Sequence, residues 1–547
     1  MTDNRVVVAI DFGTTFSGFA YSNRANPEII TNDIWPQQIG PLKTNTVLQY
    51  DENYQNVLKW GYPALAQRQS RRNKNLDCSK PVELFKLHLG DISQNEKPPL
   101  PDQLSHEKAI SDYLRELETV ASRWYGLNFF ENVVLVISIP AEFDDRAKDT
   151  MRKCLYDAGL TDSKKSNKVE FTTEPEAAAI YCMRNIKEHK NDLIPVNASF
   201  MVIDCGGGTV DLTTRKLLER EQLSEITERK GDFCGGSYVD REFLKFLGRK
   251  LGESTINLLR DNNYGQMQFL VQHFCQKLKF HFTGNPSEFD PYEFDIEEAC
   301  PVLKQYCKVD VKEEMEDKEW IIDINFEDLK SMFDPVVGKI IRLIHMQLNS
   351  SKSKCSAMFI VGGFSESKYL QMRVRQEFET LVPAIIIPKQ PVAAIVRGAC
   401  DYGLKMSTVV DRTLKHTYGI RSCRVRKYGD PTSQKFDSNN TYVFYRLITR
   451  GTKVDVDQEF SKNFDPLYAD ATSIKFNIYV TTELDAEFCD EPGMRCLGTF
   501  RIDLPDTHFG LNRTVKFSLI FGKMELVAKA INLQTGKIYE TSFDLLL

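Results

Sequence analysis

An apolar strand that ends in Asp and then breaks into Gly and Thr occurs twice in this chain, as VVVAIDFGTTFSGFAY at 6–21 and as SFMVIDCGGGTVDL at 199–212. Glycines let successive backbone N–H groups converge without interference from a Cβ, which makes an anion-binding concavity. Threonine adds a hydroxyl that bonds a phosphate oxygen or a metal-bound water. An Asp just before such a turn repels a bare phosphate, so the pattern makes sense with a cation between the two. Mg2+ fits, because it prefers carboxylates, waters and phosphate oxygens. Asp11 with Gly13, Thr14 and Thr15, and Asp204 with Gly206, Gly207, Gly208 and Thr209, are therefore candidates to clasp one triphosphate tail from opposite sides, with Asp11 and Asp204 holding Mg2+ through its waters. Either turn alone reads more simply as an ordinary turn. The duplication argues against that, and so does a third strand that ends in paired glycines, IVGGFSES at 360–367.

The elements that must position these residues are legible in the pattern. Residues 5–21 and 199–215 predict hairpins, and VVLVISIP at 133–140 predicts a buried strand, being rich in β-branched residues and lacking period-2 polarity. HEKAISDYLRELETVASRWYG at 106–126 puts Ile110, Leu114, Leu117 and Ala121 at helical spacing, with Gly126 as the stop. Residues 40–117, with the basic SRRNKN at 70–75 and PPLP at 98–101, read as an inserted subdomain, and 236–285 as mostly helical. After about 405 the texture changes to short alternating segments such as TSIKFNIYVTTE and GTFRIDLP. An all-β region of sandwich type is expected there.

Composition excludes several classes. The 547 residues are 42% hydrophobic and 27% charged, with 70 basic against 76 acidic residues and a formal charge of −6. No extended Lys/Arg block with interleaved aromatics is present, so nucleic acid is not an expected partner. No apolar run approaches the ~20 residues that span a bilayer, and MTDNRVVVAID enters a strand without a signal-like segment. The 13 cysteines are scattered without a CxxC, which points to neither a disulfide framework nor a zinc site. A reducing compartment, cytoplasmic or nuclear, is the expectation. Asn512-Arg513-Thr514 then reads as a chance glycosylation triplet.

AIDFGTTFSG, VIDCGGGTVDL and FIVGGFSESKYLQ together resemble the two phosphate motifs and the adenosine motif of the actin, sugar-kinase and heat-shock ATPase superfamily. VLVISIPAEFDDRAKDTMRKCLYDAGL followed by EFTTEPEAAAIY, then FCGGSYVDREF, PVAAIVRGACDYGL and VVDRTLKHTYGI, narrow the resemblance to the heat shock 70 kDa protein family over about residues 5–545. FGTTFSGFAYS and ELFKLHL are similar to its divergent heat shock 70 kDa protein 12 branch. The resemblance implies an α/β actin-like ATPase domain at 1–404, with two lobes, four subdomains and a duplicated ribonuclease-H-like core. An interdomain linker at 405–412 and a C-terminal all-β sandwich at 413–547 would follow, without a helical lid because the chain closes on a strand. It implies ATP or ADP with Mg2+ as cofactors, and a polypeptide client or dedicated protein partner, with a co-chaperone. Neither nucleic acid nor membrane is implied.

By the same resemblance, Lys86 positions the attacking water and the γ-phosphate, where an ammonium stabilises developing charge. Glu174 stands near that water and the metal, one of Asp11 and Asp204 accepts the nucleophile's proton, and Asp211 supports the shell. Gly362, Gly363 and Ser365 border the adenosine, Gly235 and Gly236 the phosphate or ribose, and Gln276 and Lys279 match the helix that covers the base. Read without the family, Lys86 is a surface lysine of a subdomain helix, Glu174 a helix-start Glu before Pro175, and Asp211 a residue that satisfies the returning strand. Phe280 stands where the family has an arginine, and reads either as a base-stacking ring or as a core aromatic. The linker keeps only Val409-Val410-Asp411 of a longer apolar run. The expected function is an ATP-binding, weakly ATP-hydrolysing chaperone-like protein. The alternative is a nucleotide-gated scaffold or sensor with negligible hydrolysis, and a small-molecule kinase is a third reading, disfavoured by the C-terminal β-region.

Overall fold

The structure, a computed structural model, describes residues 6–65, 80–90, 97–126, 128–130, 132–141, 143–188, 194–351, 353–521 and 524–542. The basic stretch at 70–75 and the last residues, 543–547, lie outside them. The fold is α/β with several sheets, and Cα packing divides the chain into two compact units. The first comprises 1–143, 150–213 and 230–406, and the second 144–149, 214–229 and 407–547.

Two sheets repeat one topology. In the first, β1 (Val6–Asp11), β2 (Phe16–Asn23), β3 (Asn26–Thr31), β4 (Val133–Ile139) and β5 (Val169–Thr173) lie in the order β5-β4-β1-β2-β3. In the second, β6 (Ser199–Cys205), β7 (Val210–Leu217), β8 (Leu223–Glu225), β10 (Cys355–Val361) and β11 (Ile385–Ile386) lie in the order β11-β10-β6-β7-β8, while β9 (Lys230–Asp232) pairs with β7. Both put a central strand between a hairpin partner and a parallel neighbour. Asp11 at the end of β1 stands beside Ser138 of β4, and Asp204 near the end of β6 stands beside Val361 of β10. The two turns seen in the sequence are thus the same point of one repeated arrangement, at the carboxyl end of a central strand, where open α/β sheets bind ligands.

Local chemistry explains the helices that hold these sheets. The helix His106–Tyr125 starts on Ser105, whose side chain accepts from the Lys108 amide, and stops on Gly126 in the left-handed region at φ 62°. Ile110, Leu114, Leu117 and Ala121 are all buried along one face, as their spacing predicts. The helices Glu174–Glu188 and Ala394–Leu404 cross closely, and Gly398 permits the approach: a Cβ there would lie 1.7 Å from the Ala177 carbonyl oxygen.

The second unit contains β12 (Asp411–Thr413), β13 (Thr417–Val425), β14 (Asn440–Ile448), β15 (Lys453–Asp455), β16 (Gln458–Phe464), β17 (Ser473–Thr481), β18 (Arg495–Asp503), β19 (Val515–Phe521), β20 (Val527–Asn532) and β21 (Ile538–Ser542). Two four-stranded antiparallel sheets, β14-β13-β17-β18 and β16-β19-β20-β21, share one apolar core. Phe476 of one stacks on Phe517 of the other at 4.4 Å. Arg513, fully buried, donates to the carbonyls of Ala469, Ala471, Leu504 and Gly510, so its charge is solvated entirely by backbone of two neighbouring loops. In the same unit the buried Arg215 and Glu225 pair at 3.3 Å. Glu225 also accepts from the Thr413 amide at 2.7 Å, and its own amide donates to Asp411 at 2.8 Å. The short Val409-Val410-Asp411 segment is therefore tied to β8, with the Val410 amide on the Leu223 carbonyl at 3.2 Å.

Gly398→Ala tests the helix crossing. Forcing a methyl against backbone is expected to lower the unfolding free energy by roughly 1–3 kcal/mol, read as a lower urea midpoint, although Ala is the better helix former.

Candidate functional site

The two turns face each other within the first unit. A Cβ on Gly207 would lie 2.1 Å from the Thr15 hydroxyl, and one on Gly208 would lie 2.6 Å from that of Thr14. The first turn carries threonines where the second carries glycines because they occupy one shared space, hydroxyl against bare backbone. Gly13 is required for a separate reason, since its Cβ would sit 2.1 Å from the Phe16 carbonyl oxygen.

The backbone donors divide clearly between structure and site. Gly13 donates to the Ser17 hydroxyl at 3.1 Å and Gly206 to the Thr209 carbonyl at 3.0 Å, which closes each turn. The amides of Thr14, Thr15, Gly207 and Gly208 have no acceptor among the described residues. Four N–H groups of two facing turns are thus available to an anion. Gly235, Gly236 and Ser237 donate to the carbonyls of Gly208, Gly206 and Gly207 at 3.1, 3.0 and 2.8 Å. The amides of Gly235 and Gly236 are consequently spent on bracing the second turn.

Four carboxylates surround these turns, and all are buried: Asp11, Glu174, Asp204 and Asp211. Lys86 is no surface lysine. Its ammonium is buried, 2.7 Å from Glu174, and lies 5.8 Å from the ring centres of both Phe12 and Phe143. Glu174 is the first residue of its helix, so the helix-start reading is also correct, and the same position aims the carboxylate at Lys86. Asp11 accepts from the Lys43 ammonium at 2.6 Å and from the Ser138 hydroxyl at 3.3 Å. Asp211 accepts from the Ala141 amide at 2.9 Å, which ties β7 to the end of β4.

Asp204 differs from Asp11 and Glu174. Its Oδ1 is buried with no hydrogen-bond partner among the described residues, and the third glycine strand comes up against it: a Cβ on Gly362, at φ +85°, would lie 2.4 Å from that oxygen. Burial, and then the charges of Glu174, Asp211 and Asp11, hold the Asp204 carboxyl well above its ordinary range. Burial also raises Glu174, with Lys86 opposing. An orphaned buried carboxylate oxygen beside four free amides fits a cation with an anion beyond it. Among the described residues no three His, Cys, Asp or Glu side chains converge closely enough to hold a bare metal ion. A hydrated Mg2+, which keeps several of its waters, is the form this set suits.

The outer residues are distributed unevenly. Ser365 is buried and donates to the Gly362 carbonyl at 2.6 Å, while a Cβ on Gly363 would meet nothing within 4 Å. Lys279 ends a π-helical turn, Cys275–Lys279, and donates to the Gly236 carbonyl at 2.7 Å and to Asp240 at 2.6 Å. It therefore reaches the second turn through one residue. Gln276 is exposed. Phe280 is 63% exposed, which removes the core reading and leaves an open aromatic face beside the anchored Lys279. Sequence reasoning missed Lys43 and Ser138, and quoted Asp240 within FCGGSYVDREF without giving it a role. Ser138 lies inside the predicted strand 133–140, but only strand register shows it opposite Asp11.

Asp204→Asn, in nucleotide-free buffer with chelator, is expected to raise the urea midpoint near pH 7, because the amide removes a desolvated charge. A carboxyl held above its ordinary 3.8 contributes its stability below that value and loses it as the pH rises through the folded value. The advantage of the variant must therefore shrink as the pH is lowered toward about 4. A midpoint difference independent of pH goes against the assignment.

No family model matches the chain. It is 25% identical to heat shock 70 kDa protein 12A of Homo sapiens, covering 99% of this chain and 91% of that protein. To the human heat shock 70 kDa protein 12B it is 24% identical with the same coverage. Chaperone protein DnaK of Carsonella ruddii is 25% identical over 71% of this chain and 61% of its own length. No described helix is long and apolar enough to cross a membrane. Along nearly its whole length, then, this chain is similar to the heat shock 70 kDa proteins 12A and 12B.

Proposed function

We propose that the facing turns bind the phosphates of Mg-ATP or Mg-ADP in an actin-like domain at 1–404, joined by a linker at 405–412 to a β-sandwich at 413–547 that holds a polypeptide or a protein partner. The observation that carries this reading is the pair of facing turns with four uncommitted amides, together with the buried, partnerless oxygen of Asp204, which precedes the second turn. Thr14, Thr15 and Thr209 would add hydroxyls to the phosphates, and Gly362, Gly363 and Ser365 would border the adenosine. The exposed Phe280, next to Lys279, would offer its face to the base. Asp11 and Asp204 would hold Mg2+ through water, where it supplies charge neutralisation of the phosphates. Similarity to proteins named as chaperones supports the chaperone-like part of the reading.

Hydrolysis is proposed to run through Lys86 and Glu174, with the ammonium stabilising charge on the transferred group. Their buried 2.7 Å contact also favours a second reading, a nucleotide-gated scaffold. Each group satisfies the other, so a site that binds and holds nucleotide needs nothing more from them. Single-turnover hydrolysis by the full chain and by Lys86→Ala separates the two. A lysine-dependent rate, falling at least about 100-fold in the variant as removal of a transition-state donor does, supports hydrolysis; no lysine-dependent rate leaves the scaffold.

Coupling between nucleotide and partner must be reciprocal in affinity. The chain is therefore expected to bind an extended reporter peptide with different affinity in ATP and ADP, and the peptide must alter nucleotide affinity by the same factor. Equal peptide affinities in ATP, ADP and no nucleotide sink the coupled version.

A further inference from the structure

Lys43 lies outside every motif, yet its ammonium is the direct partner of Asp11 at 2.6 Å, with only 9% of its side chain exposed. Its position is built from three sides. Thr44 and Asn45 pair with Ser17 and Phe16 of β2, so the segment is an added strand along the first turn. The Thr46 amide donates to the Thr15 carbonyl at 2.9 Å, and the Thr46 hydroxyl to the Gly13 carbonyl at 2.8 Å. The stem of Lys43 crosses Gly18, the residue directly opposite Asp11 in the hairpin, where a Cβ would lie 3.0 Å from the Lys43 Cγ. Gly18 thus opens the path by which the ammonium reaches the carboxylate at the mouth of the turn.

The charges give this placement a purpose. Among the described residues two ammonium groups pair with the four carboxylates around the turns, Lys86 with Glu174 and Lys43 with Asp11, and Asp204 is left without one. Lys43 is therefore a resident cation on the first turn, while Asp204 before the opposite turn has no ammonium beside it. Resting on the nucleotide-site reading above, we infer that Lys43 is a positioning residue for nucleoside di- and triphosphates: it neutralises Asp11 and carries positive charge to the phosphate end, so that part of the affinity survives without a divalent cation. Without it, Asp11 would face the phosphates as an uncompensated buried carboxylate, and only a metal ion could offset the repulsion.

The test compares ATP affinity of the full-length protein by titration calorimetry, in saturating Mg2+ and in excess chelator. Wild type is expected to bind in both, more weakly in chelator. Lys43→Met is expected to lose at least about tenfold in chelator, a small part of the interaction of two close charges at intermediate dielectric, and less than about threefold in Mg2+. Lys43→Arg, which keeps the charge, is expected to restore chelator binding to within about threefold of wild type, a difference well inside one decade of affinity. A merely structural lysine would shift both conditions by one factor, and that result overturns the inference. So does failure of the Arg variant to restore binding, or wild type that binds in Mg2+ and not in chelator, which leaves the nucleotide site itself standing. The last measurement and the Arg variant decide the matter even where Lys43→Met fails to fold. Wild type that binds no nucleotide in either condition sinks the nucleotide reading and this inference together.

Discussion

Burying Asp11, Glu174, Asp204 and Asp211 around two facing turns is the constraint to which the rest of the first unit answers. Each ionised carboxylate taken out of water costs several kcal/mol unless it is paired. The chain offsets that cost by different means at each position: Lys43 for Asp11, Lys86 for Glu174 and a backbone amide for Asp211. Asp204 has no such compensation on its Oδ1, and its carboxyl titrates high as a result. Residues that leave a buried charge uncompensated lower the stability of the ligand-free protein. A site whose chemistry needs that charge is where such a cost is tolerated.

Glycine and threonine are distributed over the turns by the same closeness. Gly207 and Gly208 stand where any side chain would collide with Thr15 and Thr14, and a Cβ on Gly235 would lie 2.6 Å from the Gly207 backbone. Three successive amides, from Gly235 to Ser237, then lock the second turn from behind. The second turn is braced by backbone and the first by hydroxyls, since Ser17 and Thr46 bond each other at 2.8 Å and both contact Gly13. Within the second unit, the buried Arg215 pairs with Glu225, which accepts from the Thr413 amide.

Much of this was legible in the linear pattern, and the reason is periodicity and spacing. The two Asp-Gly hairpins, the fully buried strand at 133–139 and the helix stopped by Gly126 follow from local rules that need no distant partner. What stayed hidden were single polar residues whose meaning depends on a contact far along the chain. Lys43 pairs across 32 residues and Lys86 across 88, while Arg513, which reads in sequence as part of a chance glycosylation triplet, collects carbonyls more than forty residues away. A lysine in a polar stretch looks the same whether it points to water or to a buried carboxylate.

By itself the sequence determined that two like turns exist, that each follows an Asp, and that the family resemblance spans the chain, because these depend on order and residue type alone. Only the tertiary structure decided that the turns meet, threonine against glycine, that Gly235 and Gly236 spend their amides on bracing, that Phe280 is open to solvent, and that Asp204 buries an oxygen with no hydrogen-bond partner among the described residues and no ammonium beside it. Those outcomes rest on distances of a few ångströms between residues far apart in the chain, and no local pattern encodes them.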